Sequence, residues 1–105
     1  MKSNKDVADI ILKYITENGL YEFVNIYFNN KCYYWEEEAQ EHTIIYSIEA
    51  PVSSGEYSIY VKLNLEVIYK LNNDLLKRKI ESLEDGFKCL GLEYEKYDML
   101  TFCII

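Results

Sequence analysis

The sequence predicts an α+β domain: a two-layer sandwich with an antiparallel sheet of about five strands and two helices on one face, in the order α-β-β-β-β-α-β. Three observations carry this reading. Two segments, one near the start of the chain and one in its last third, repeat apolar residues at spacings of three and four, the period of a helix that buries one side. Between them, and again at the end of the chain, apolar and polar residues alternate singly, as in a half-buried strand. The alternation is one-sided, which argues for antiparallel strands with one face on a core. At 105 residues, residues 1–105 fit a single domain, because two would each approach the size at which a core becomes marginal.

Residues 4 to 18 form the first expected helix. Ser3 or Asn4 can cap it, Asp6 places a carboxylate at the positive end of the dipole, and Asn18-Gly19 stops it. Val7, Ile11, Tyr14 and Ile15 share one face, while Lys5, Asp9, Lys13 and Glu17 share the other.

Residues 20 to 36 predict a β-hairpin around Asn29-Asn30, a pair able to adopt the positive φ angles of a two-residue turn. That turn sets Phe28 opposite Lys31, Ile26 opposite Tyr33 and Val24 opposite Trp35. Val24, Ile26, Tyr33 and Trp35 then face the core. Asn25, Tyr27, Cys32, Tyr34 and Glu36 take the other, half-solvated face.

The run from Glu36 to His42 is a charged connection. Thr43 to Ala50 alternates again, and Pro51 to Gly55 is the clearest turn in the chain. From Tyr57 a long alternation places Ile59, Val61, Leu63, Leu65 and Val67 inward, with Tyr60, Lys62, Asn64 and Glu66 outward. These two strands are expected to pair as a second hairpin. Residues 64 to 73 also fit a helical stripe, so the strand ends near Asn64 or near Tyr69. Leu76, Ile80, Leu83, Phe87 and Leu90 then mark the second helix, closed by Gly91, and Asp98 to Ile105 reads as the final strand. Both helices are expected on the aliphatic face. The opposite face is left to Tyr27, Tyr34, Tyr60, Asn25, Ser47, Glu49 and Lys62.

Composition removes several function classes. Apolar residues make up 50% and charged residues 28% of the chain, a globular balance. Eighteen acidic residues against 11 basic ones give a net charge of −7, and the only arginine is Arg78. Nucleic-acid affinity comes largely from basic side chains neutralising phosphates, so a nucleic-acid partner is not expected, nor is an anionic membrane. No stretch approaches the roughly 18 apolar residues of a membrane span. Asp6, Asp9 and Lys13 interrupt the only segment resembling a secretory leader, so a cytoplasmic location is expected. The abundance of Tyr, Lys, Ile and Asn matches AT-rich codons, pointing to a low-GC bacterial or phage genome.

No group of residues carries a catalytic signature. Cys32, Cys89 and Cys103 lack a C-x-x-C pair and read as free thiols. Glu38 and His42, one helical turn apart, could share a metal, but a zinc site needs three or four ligands and His42 is the only histidine. It reads as a solvated loop residue. A Cys32–His42 nucleophile pair needs a third orienting group, and a lone cysteine more often packs as a small hydrophobe. Glu36, Glu37, Glu38 and Glu41 are clustered in a polar loop and expected to be solvated, so nothing separates their pKa values as acid–base catalysis requires. The four glycines fall outside every phosphate-cradle spacing. No enzyme activity, cofactor or metal is expected.

The one suggestive group is the face carrying Tyr27, Tyr34 and Tyr60, rimmed by Glu36, Glu37 and Glu38, since aromatic and polar residues together suit a protein interface. The expected function is therefore a non-enzymatic protein-binding module, a small acidic inhibitor or immunity-type protein that neutralises another protein, with a basic partner favoured by charge. Two alternatives stand beside it. One is a small-molecule or enzymatic domain with a pocket between sheet and helices. The other is a subunit that forms a homodimer through its sheet face or its C-terminal strand.

Overall fold

The computed structural model describes residues 3–47 and 59–105. The turn read at Pro51 to Gly55 and the strand positions Ile48, Glu49, Tyr57 and Ser58 lie outside the described residues. The first helix, α1 (Asn4–Glu17), starts at a reciprocal cap: the Ser3 hydroxyl accepts from the Asp6 amide at 3.1 Å, and the Asp6 carboxylate accepts from the Ser3 amide at 3.2 Å. Its last turn ends at Asn18, followed by Gly19 at a φ of 69°. After a single 3-10 turn (Tyr21–Phe23) come β1 (Val24–Phe28) and β2 (Lys31–Glu36). Asn29 and Asn30 join them with φ values of 46° and 60°, the backbone that a two-residue turn matched to strand twist requires. Ile26 faces Tyr33 and Phe28 faces Lys31.

The next strand, β3 (Glu41–Tyr46), does not join the following strand as a hairpin. It folds back on β2, from Glu36 opposite Glu41 to Lys31 opposite Tyr46. The acidic connection is thus a four-residue turn: Gln40 takes a φ of 56°, and its side-chain amide donates to the Glu37 carbonyl at 2.7 Å. β4 (Ile59–Leu63) lies on the other side of the first hairpin, paired antiparallel with β1. The strand ends at Leu63 because the Asn64 side chain accepts from the Glu66 amide and caps a short helix, α2 (Leu65–Ile68). Leu65 and Val67 therefore belong to a helix, not to an extended strand.

The long helix α3 (Asn73–Cys89) follows, capped by Asn72. The last segment is a second correction. Where one strand was expected there is a hairpin, β5 (Tyr94–Lys96) and β6 (Thr101–Ile104), and β6 is interior, between β4 and β5. Among the described residues the sheet has six strands in the order β3-β2-β1-β4-β6-β5, all pairs antiparallel.

The α+β two-layer architecture holds. Val7, Ala8, Ile11 and Ile15 of α1 and Leu83 and Phe87 of α3 share one buried cluster with Ile26, Phe28, Tyr33, Ile59, Val61, Leu63, Phe102 and Ile104 of the sheet. Burying each such side chain contributes about 1.5–3 kcal/mol, which is what holds both helices on this face. α1 and α3 approach closely at Gly86, where an added Cβ would overlap the Tyr14 ring. Ile80 is only partly buried at the edge of the cluster. Trp35 is buried but outside it, flanked by a tilted Tyr21 ring and an edge-on His42 ring with centroids 4.9 and 5.3 Å away.

Candidate functional site

The helices leave the opposite sheet face to the side chains of alternate strand positions. Register alone brings the tyrosines together: Tyr27 of β1 lies directly across from Tyr60 of β4, and Asn25 from Lys62. One strand further, Cys32 pairs with Tyr27 on one side and Ile45 on the other, while Cys103 pairs with Tyr60. Tyr27, Tyr34, Tyr60 and Lys62 are half-buried. The face is drier than its sequence suggested at two positions. Cys32 is fully buried, and Asn25 is buried with its side-chain oxygen accepting the Trp35 amide at 3.1 Å, in place of a strand-to-strand bond.

Three hollows share residues and run together as one trough across this face. The first, about 170 Å³, is lined by Tyr27, Tyr60, Lys62, Tyr97, Asp98 and Thr101. The second, about 210 Å³, keeps Tyr27 and Lys62 and adds Asn25, Tyr34, Asn64 and Glu66. The third, about 240 Å³, joins Tyr34 and Glu66 to Glu36, Glu37 and Glu38. All six residues expected to form the site therefore line a continuous surface, with tyrosines along its floor and carboxylates at both ends. Glu36 is half-buried at the end of β2, whereas Glu37 and Glu38 are exposed in the turn. Glu37 reaches Lys70 at 3.7 Å, and both side chains are about 70% exposed (71% and 69%), so this pair contributes little.

The electrostatics follow from that placement. Burial pushes the Tyr34 hydroxyl pKa up, and the neighbouring Glu66 and Glu36 carboxylates add to the rise. Asp98 is held below its ordinary value, chiefly by the Leu100 amide that donates to it at 2.8 Å, with Thr101 and the more distant Lys62 charge assisting. Lys62 stands 5.9 Å from the Tyr27 ring centroid. The Thr101 hydroxyl is buried and close enough to Asp98 to favour its charge, yet it meets no partner in hydrogen-bonding geometry.

Lys62 and Glu66 were legible as outward-facing residues. Tyr97, Asp98 and Thr101 were not legible as part of the site. They arrive through the β5–β6 hairpin, which has no Asn-Gly or Asp-Gly signal to announce it.

The other candidates separate. Cys32 pairs with Ile45 on the open face, whereas His42 pairs with Trp35 on the helix face, so the sheet stands between thiol and imidazole. His42 is not a solvated loop residue. It sits in β3, half-buried against Trp35, with Nε2–H donating to the Val24 carbonyl at 3.0 Å. Burial lowers its pKa, outweighing the carbonyl that favours the charged ring. Cys32, Cys89 and Cys103 form no disulfide among the described residues, and burial raises the pKa of Cys103. Among the described residues no three His, Cys, Asp or Glu side chains converge as metal ligands, and no helix is long and apolar enough to cross a membrane. Comparison with protein-family models, curated proteins and solved structures gives no match for this chain.

Proposed function

We propose that this protein is a non-enzymatic binding module of the small acidic inhibitor or immunity type, which grips a basic segment of a partner protein along the open sheet face. The observation that supports this is the trough itself: Tyr27 and Tyr60 opposed by strand register, Tyr34 beside Tyr27 in the next hollow, with Asp98 at one end and Glu36, Glu37, Glu38 and Glu66 at the other. Tyrosine offers a large contact area at low cost in side-chain entropy, and half-buried rings in a groove are already partly ordered. The acidic ends supply steering toward positive charge. An inhibitor or immunity role is favoured by the chain's small size and net charge of −7. A cytoplasmic setting fits Cys32, Cys89 and Cys103, which are not joined in disulfides.

A small-molecule site is the second reading. The space between sheet and helices is filled by the core cluster, so such a site would be the hollow lined by Tyr27, Tyr60, Lys62, Tyr97, Asp98 and Thr101. A photo-crosslinking side chain at Tyr60, with the same group at exposed Arg78 on α3 as control, separates these readings in host cells. One protein captured through position 60 and not through position 78, and lost when Tyr27 becomes alanine, supports the module. Equal capture at both positions sinks it.

A further inference from the structure

The two ends of the sheet are protected very differently. β5 is three residues long and carries Glu95 and Lys96, a short and charged edge of the kind that discourages strand addition. β3 is six residues long, holds an unbroken register against β2, and has no lysine, proline or bulge. Among the described residues nothing pairs with its outer side. Its apolar side chains are also the ones most in water: Ile44 is 59%, Ile45 43% and Tyr46 75% exposed.

We infer that β3 is a self-pairing edge, and that two copies of the chain join β3 to β3 antiparallel about a twofold axis at Ile44, making one continuous sheet. The Ser47 amide donates to the Asn30 carbonyl, so the amides of Ile45 and Thr43 also turn toward β2, while those of His42, Ile44 and Tyr46 turn outward. A twofold normal to the sheet keeps each face on its own side, so opposed residues must share a face. Centring it on Ile44 opposes Ile44 to Ile44, Thr43 to Ile45 and His42 to Tyr46. The outward amides then meet outward carbonyls at each hydrogen-bonded pair.

Charge selects the occupant. Every opposed pair in this register is neutral, and Glu41 of each copy falls beyond the ladder. Centring on Thr43 instead would set Glu41 against Ile45 and leave Tyr46 in water. A basic partner gains nothing on this edge, whose only charged residue is Glu41. The repulsion between two copies of net charge −7 makes the dimer tighten as salt rises, the reverse of an acidic surface meeting a basic protein.

Sedimentation of the purified full chain across a concentration series tests this. The mass should move toward twice 12.5 kDa, and at lower concentration in high salt than in low. Ile44→Pro removes only an outward amide and leaves the β2 ladder intact, so it should stay monomeric with an unchanged circular dichroism spectrum. Since a proline variant could also misfold, register is read separately in a Cys89→Ser background. Ile44→Cys should crosslink between copies on oxidation, because hydrogen-bonded antiparallel pairs bring Cα atoms to about 5.5 Å, within disulfide reach. Tyr46→Cys should not, because the two positions would lie about 14 Å apart along the strands. A monomer at every concentration, a dimer that survives Ile44→Pro, or crosslinking at both cysteine positions overturns the inference.

Discussion

Gly86 and His42 show how much one side chain decides. Exchanging a helical glycine for alanine favours the helix by about 1 kcal/mol on propensity alone. Here the new Cβ would enter the Tyr14 ring, whose hydroxyl is tethered to the Ser82 carbonyl at 3.1 Å, so overpacking of about 1–3 kcal/mol opposes the gain. Gly86→Ala should therefore lower stability in urea titrations by about 1 kcal/mol. In a Tyr14→Ala background the same change should turn stabilising, and an unchanged sign would mean the α1–α3 approach is not set by this contact.

His42 gives the protein a pH dependence with a definite sign. Its folded pKa lies below the unfolded value of 6.5, so the unfolded chain binds the proton first. Stability then rises with pH through this window. The contribution is complete above about 6.5 and is lost as pH falls toward the folded pKa. As the only histidine, it owns that slope. The urea midpoint should fall between pH 7.5 and pH 6, and His42→Gln should flatten the change.

Turn chemistry decides pairing at the scale of elements. Asn29 and Asn30 both hold positive φ, and the Asn29 side-chain oxygen also accepts from Asn4 of α1 at 3.3 Å. Glycine holds such a conformation without strain, whereas a β-branched residue does not. Asn30→Gly should raise the thermal midpoint or leave it unchanged. Asn30→Val should cost roughly 1–2 kcal/mol, the penalty for the left-handed region, and equal midpoints for the two variants would refute a two-residue turn here. The second turn, Glu37 to Gln40, carries no such signal. Its pairing depends on Gln40 accepting positive φ and on a single side-chain hydrogen bond, which is why β3 looked free to pair forward along the chain instead of back.

At the scale of the whole molecule, the proposed binding function divides into long-range steering by the charge of −7 and short-range grip by the tyrosine trough. For the partner captured at Tyr60, Tyr27→Ala or Tyr60→Ala should weaken binding by about 2 kcal/mol or more, mainly through faster dissociation. Glu37→Gln or Glu38→Gln should cost well under that and act on association rate and its salt dependence. Both kinds of variant should unfold at nearly the native midpoint, since these side chains lie outside the core cluster. Dissociation rates unchanged by the tyrosine variants would move the interface off this face.

By itself the sequence determined the elements with strong local codes. α1 and α3 follow from period and caps, the first hairpin from two asparagines, and the tyrosine face from alternation, because each is specified by neighbours within a few residues. That Tyr27, Tyr34 and Tyr60 share the open face, with Glu36 to Glu38 at the end of β2 and in its turn, was legible for the same reason. Tertiary structure alone decided which strands are neighbours. β3 returns to β2, β4 crosses to the far side of β1, and β6 is enclosed between β4 and β5. A strand with one apolar face can satisfy its backbone against several partners at similar cost, so its local pattern does not choose among them. Closure of one shared core does, and that same choice brought Asp98 and Thr101 to the trough and left β3 at the edge.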